Sequence, residues 1–143
     1  MSPIEKEIIR RKLFLIAENL KALEPIKNMT GEEYIRDVYK RKATERLLQE
    51  LIEAAIDINS HLVVQVGNAT PDDYYESFIK VGELRIISAD LAEKLAPSAG
   101  LRNRLVHEYD LLDHSLVLEA VKMAEKLYPK YIKEIETFIS GSI

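Results

Sequence analysis

The sequence predicts an all-α protein, and three observations carry that reading. Apolar residues recur every three or four positions through long runs. No segment shows the strict alternation of a half-buried strand. The five Gly and five Pro residues fall between the runs or near their ends, where they punctuate helices.

The elements follow in order. Ser2, Pro3 and Glu5 read as the capped start of a first helix. It carries Ile8, Ile9, Leu13, Leu15, Ile16, Leu20 and Leu23 and should end before Pro25. Thr30 and Glu33 form a second capping box. Residues 32–66 contain neither Gly nor Pro, so a short helix, a bend near Val38–Arg41 and a long helix to about Val66 are expected. The run Gly67-Asn68-Ala69-Thr70-Pro71-Asp72 is a loop. A short helix from Asp73 to Val81 should follow, with Gly82 as the residue after its cap. Ser88 caps a helix running toward His107 with a bend at Pro97. Asp113 caps the last helix, His114 to Ile139, which Pro129 should kink. The sum is a bundle of four main helices with one or two short ones, in a single domain spanning residues 1–143.

Composition narrows the function. A chain of 143 residues is long enough to bury a core without metal or disulfide. The absence of Cys excludes disulfides, zinc ribbons, iron–sulfur clusters and thiol catalysis. No apolar run reaches membrane-spanning length, so no membrane partner is expected. The N-terminal MSPIEKEIIRRK is charged where a signal peptide is apolar, so a cytoplasmic location is expected. A net charge of −4 argues against a broad nucleic-acid surface but leaves room for a cleft that handles one or two phosphates.

Two clusters could carry chemistry. On the long helix, Arg46, Glu50, Glu53, Asp57 and His61 fall within an arc of about 80°. This stripe reads as a solvated face with i,i+4 pairs such as Arg46–Glu50 and Asp57–His61. It reads equally as a cleft wall on which Asp57 orients or neutralises a catalytic cation. No third residue completes a metal site with Asp57 and His61. The second cluster is Gly100-Leu101-Arg102-Asn103-Arg104-Leu105-Val106-His107-Glu108-Tyr109-Asp110. Read alone, its single histidine is more often structural than catalytic.

The segment RNRLVHEY resembles the R-x4-H-x-Y motif of HepT-type toxins in the HEPN superfamily. Arg102, His107 and Tyr109 match the fixed positions, and Asn103 matches the Asn that commonly follows the Arg. Glu45-Arg46-Leu47, Ile52 to Ile58 and His61 resemble the family's long second helix. Tyr75-Glu76-Ser77-Phe78 and Leu91 to Ala96 resemble the segments leading to the motif. The resemblance implies an HEPN-like antiparallel four-helix bundle. It also implies a metal-independent, cofactor-free endoribonuclease toxin in a type VII-like pair with a small nucleotidyltransferase antitoxin. That antitoxin would transfer AMP groups to Tyr109, and the toxin would be a homodimer with both motifs facing one cleft. Catalytically inert HEPN relatives, which help a partner nucleotidyltransferase bind its nucleotide or substrate, are the alternative; a plain helical interaction domain is a third reading.

The residues suit that chemistry. Cutting RNA by attack of its own 2′-OH needs proton transfer and a cation for the developing phosphorane charge. His107 can move the proton, Arg102 can grip the phosphate, and Asn103 can support either. Arg102 and His107 are i,i+5, about 140° apart on a regular helix. They meet only if the helix ends or distorts near His107, or if a second subunit contributes. Tyr109 should sit at the rim of the same cleft, so that AMP added there would pair with Arg102. Tyr74, Tyr75 and Tyr128 are the next candidates for modification.

Overall fold

Apolar residues over more than half the circumference of the long central segment force it into the middle of the molecule. The computed structural model describes residues 4–141, and among them it contains helices and no strand. The order is α1 (Lys6–Lys27), α2 (Gly31–Arg36), α3 (Val38–Gly67), α4 (Tyr74–Glu83), α5 (Ala89–Leu95), α6 (Ser98–His107), a 3₁₀ turn (Tyr109–Leu111) and α7 (His114–Ser140). Leu51, Ala55 and Leu62 of α3 are wholly inaccessible to solvent. Pairing between elements gives the topology. Glu5 meets His61 and Asn19 meets Leu47, so α1 runs antiparallel to α3. Arg41 meets His114 and Ala55 meets Tyr131, so α7 runs parallel to α3. The fourth position of the bundle is filled by α4, α5 and α6 in succession.

Several boundaries differ from the sequence expectation. Ser2 and Pro3 lie outside the described residues, and Glu5 rather than Ser2 stands at the N-cap of α1. The helix also continues past Pro25 to Lys27. A proline in the last turn forfeits one backbone bond, while Leu23 and Ile26 on either side are buried. The Thr30–Glu33 capping box forms as expected. The bend comes at Asp37, just before the predicted stretch, because its carboxylate accepts the Lys40 N–H at 2.9 Å and starts α3 afresh. Asn68 closes α3 in the left-handed conformation, with φ 52°. Ser88 and Asp113 cap α5 and α7 as predicted. The helix expected to run from Ser88 to His107 with a bend is broken outright at Pro97 into α5 and α6.

Gly82 does not end α4. It lies inside the helix, and the left-handed position after the cap belongs to Arg85, with φ 59°. The Ile86 N–H reaches the Val81 carbonyl at 2.9 Å and the Arg85 N–H reaches Gly82 at 3.0 Å, the bond pattern of a Schellman turn. Gly82 is needed for packing instead: a Cβ there would stand 2.5 Å from the Ala92 Cβ.

One buried polar chain ties three layers together. The Tyr131 hydroxyl on α7 donates to Asn59 Oδ1 on α3 at 2.5 Å. Asn59 donates to the Ser77 hydroxyl on α4 at 3.5 Å, and Ser77 donates to the Tyr74 carbonyl at 2.7 Å. Asn59, Ser77 and Tyr131 are all inaccessible, so each bond replaces water that none of them can reach.

Gly82→Ala should destabilise the fold by about 1–3 kcal/mol through overpacking between α4 and α5. Urea unfolding of the two proteins checks this. A fully tolerated alanine would mean that α4 and α5 are not in close contact in solution.

Candidate active site

The motif residues lie at the end of α6 and in the turn after it. Leu105 points into the core and anchors α6, leaving Asn103, Arg104 and His107 on exposed faces. The helix ends at His107, and Glu108 leaves helical geometry at φ −131°, ψ 32°.

Arg102 is the most constrained of these residues. Its side chain keeps only 18% of its exposure. Nε and Nη2 both donate to Glu53 Oε2 of α3 at 2.9 Å. Its guanidinium lies 5.0 Å from the ring centroid of Tyr74, and Nη1 donates to Asn103 Oδ1 at 3.3 Å. Charge-assisted bonds and a ring face together fix the plane of the guanidinium. The buried Ser77–Tyr74 bond fixes that ring's backbone in turn.

The stripe on α3 is therefore split between roles. Glu53, not Asp57, is the carboxylate that meets the motif arginine. Asp57 pairs with Lys12 of α1 at 3.2 Å and stays away from the motif. His61 accepts the Glu5 N–H at 3.3 Å, so the expected Asp57–His61 pair does not form, whereas Arg46–Glu50 does, at 3.2 Å. The phase of α6 against α3 decides between two carboxylates one turn apart, and helical periodicity in α3 alone does not contain it. The sequence offers Tyr74 only as a further candidate for modification, with no local signal of its place against Arg102. Among the described residues, no group of three or more His, Cys, Asp or Glu side chains is arranged to hold a metal ion.

His107 is exposed and unpartnered among the described residues. Because α6 stays regular to His107, Arg102 and His107 diverge by about 140°. The structure brings Arg102 together with Asn103, Glu53 and Tyr74, but not with His107. Tyr109 opens the 3₁₀ turn and is 60% exposed, so it is no core tyrosine. The Lys42 ammonium lies 5.9 Å from its ring centroid. Lys42 stands eleven residues before Glu53 on α3, about 16 Å along the axis. The cation beside Tyr109 is thus Lys42 rather than the expected Arg102. Tyr128 is buried with its hydroxyl donated to Ser98, which removes it from the modification candidates; Tyr74 and Tyr75 remain accessible.

Beside the motif runs an apolar groove of about 530 Å³, with Leu101, Leu112, Leu116, Ala120 and Met123 in its walls. Arg104 and Glu108 also line it. Leu111 and Leu116 are 77% and 59% exposed. No helix among the described residues is long and apolar enough to cross a membrane.

Comparison with known proteins identifies the family and the fold. The chain is 39% identical to the tRNA nuclease HepT of Aphanizomenon flos-aquae over 97% of its own length and 95% of that protein. It is 26% identical to the mRNA nuclease HepT of Shewanella oneidensis, covering 93% and 94% of the two chains. Its fold matches a solved structure of a tri-AMPylated Shewanella oneidensis HEPN toxin in complex with an MNT antitoxin. There the TM-score is 0.81 at 26% identity, over 91% of this chain and 97% of that one. Residues 4–137 match the family model described as ribonuclease HepT-like. The chain belongs to the HepT-like ribonuclease family.

Proposed function

We propose that this protein is an RNA-cleaving toxin whose active unit is a homodimer and whose partner is a small nucleotidyltransferase antitoxin. The observation that carries the reading is Arg102. It is a cation oriented by Glu53 and Tyr74, five residues before an exposed, unpartnered His107 within an intact R-x4-H-x-Y motif.

In the proposed reaction the 2′-oxygen of RNA attacks the adjacent phosphorus and loses its proton to a base. The bond to the 5′-oxygen breaks, and that oxygen takes a proton from an acid. The products are a 2′,3′-cyclic phosphate and a free 5′-hydroxyl. The Nη1 edge of Arg102 is held only by Asn103, at 3.3 Å. A phosphate can displace that amide and gain a charge-assisted bond. His107 supplies one proton-transfer group per chain, so a second copy would supply the other. The 140° divergence within one α6 points the same way. The apolar groove beside the motif, with Leu111 and Leu116 exposed, is the face we assign to the second copy.

Tyr109 is the proposed acceptor for AMP. Its exposed ring lies at the motif end of α6, and Lys42 beside it would pair with the added phosphate. The bulk of the nucleotide would then close the approach to His107, two residues away.

His107→Ala and Arg102→Ala should each lower RNA cleavage by about 10²–10⁴-fold. The melting temperature should stay unchanged in His107→Ala and fall in Arg102→Ala, where Glu53 loses its partner. Cleavage by the parent protein should survive EDTA. An alanine variant that cuts at the parental rate overturns the assignment. Leu116→Asp should yield a monomer in sedimentation and lose activity with it; a fully active monomer would refute the shared cleft. Tyr109→Phe should keep most of the cleavage activity and escape AMP addition during co-expression with the nucleotidyltransferase. Intact-mass measurement reads this out, and equal modification of both proteins would move the acceptor to Tyr74 or Tyr75.

A further inference from the structure

A second cationic feature lies outside the motif, where the α4–α5 turn meets the C-terminal half of α7. Arg85, Lys130 and Lys133 line one pocket of about 530 Å³ together with the buried Ile86, the half-buried Phe138 and one carboxylate, that of Glu134. Lys126 stands one turn before Lys130 on the same face of α7. Among the described residues none of these four cations has a carboxylate within ion-pair distance.

Their freedom has a cause. Elsewhere on the surface, lysines close onto carboxylates one turn away, as Lys94 does with Asp90 and Lys122 with Glu119. The carboxylates placed to do the same here are drawn off. Glu134, four residues after Lys130, accepts the Ser88 N–H at 2.7 Å. Glu136, three residues after Lys133, is taken by Arg10 at 2.9 Å and by the Ser140 hydroxyl. Arg85 adds a sign of its own. It occupies the left-handed position of the Schellman turn, where glycine is the unstrained choice. Its guanidinium stands at that spot on a backbone conformation that costs a side-chain-bearing residue strain.

We infer that Arg85, Lys130 and Lys133, continued by Lys126, form a binding track for the phosphate backbone of RNA outside the cleavage site. The inference rests on the ribonuclease reading for its ligand class. Unpaired cations at helical-turn intervals suit a repeating polyanion better than a single ion. In a protein of net charge −4, a local positive field is also what an RNA strand must find to stay bound. Lys126 and Lys133 are seven residues apart on α7, about 10 Å of axis, so an RNA lies along the whole track only if it is several nucleotides long.

Binding without turnover tests the track independently of cleavage. In a His107→Ala background, a labelled single-stranded RNA long enough to span that distance is titrated at several salt concentrations. Arg85→Gln/Lys130→Gln/Lys133→Gln should weaken Kd about ten-fold. It should also reduce the slope of log K against log salt by about 2, since each lost phosphate contact to a single strand is worth roughly 0.7. Unchanged affinity and slope would overturn the track. So would a triple variant that binds RNA normally but slows AMP addition by the nucleotidyltransferase, which would make the patch a protein-docking surface. Arg85→Gly is the second arm: it should raise Tm by about 3 °C while weakening RNA binding. A stabilised Arg85→Gly protein with undiminished RNA affinity removes Arg85 from the track. A protein that binds through these cations yet never cuts RNA would keep the track and refute the ribonuclease reading.

Discussion

The buried chain from Tyr131 through Asn59 and Ser77 to the Tyr74 carbonyl sets the register of the molecule. Each of its side-chain groups is shut off from water, so each needs the next. A slip of α7 or α4 along α3 by one residue would strand an amide or a hydroxyl in the core. Such a slip costs about 1–3 kcal/mol for each group left without a partner. Apolar packing alone would tolerate small displacements of these helices far better. The chain therefore gives a fixed alignment to a bundle whose helices could otherwise pack in neighbouring registers.

That alignment reaches the candidate site through Tyr74. The residue is tied at its backbone to the buried chain and at its ring to Arg102, and Glu53 approaches the same guanidinium from α3. Arg102 thus receives its orientation from two elements outside its own helix. A freely rotating arginine would lose side-chain entropy on meeting a phosphate; this one has lost most of it on folding. The Glu53 carboxylate also keeps the half-buried cation from standing uncompensated before any substrate arrives.

The helical fold was legible because it is written locally. Thr30, Ser88 and Asp113 each precede a helix and accept a hydrogen bond from its first turn. What was not legible depended on distant neighbours. Gly82 looks like a terminator in sequence, but its meaning comes from Ala92, ten residues on. The motif residues Arg102, His107 and Tyr109 stood out through resemblance. Their partners did not, since choosing Glu53 over Asp57 requires the phase of two helices packed together. Lys42 beside Tyr109 was hidden for the same reason, being sixty-seven positions earlier in the chain.

The thirty-residue α3 has no Gly or Pro before its final position and carries Lys42 toward Tyr109 and Glu53 toward Arg102. It acts as a ruler with both marks cut into one rod. Inserting a single residue between them would rotate everything beyond by about 100° and turn buried leucines toward water. Changes of length in this lineage should therefore be confined to the joints, residues 28–30, 68–73 and 112–113. The spacing between the two cationic stations should persist even where the residues around it drift.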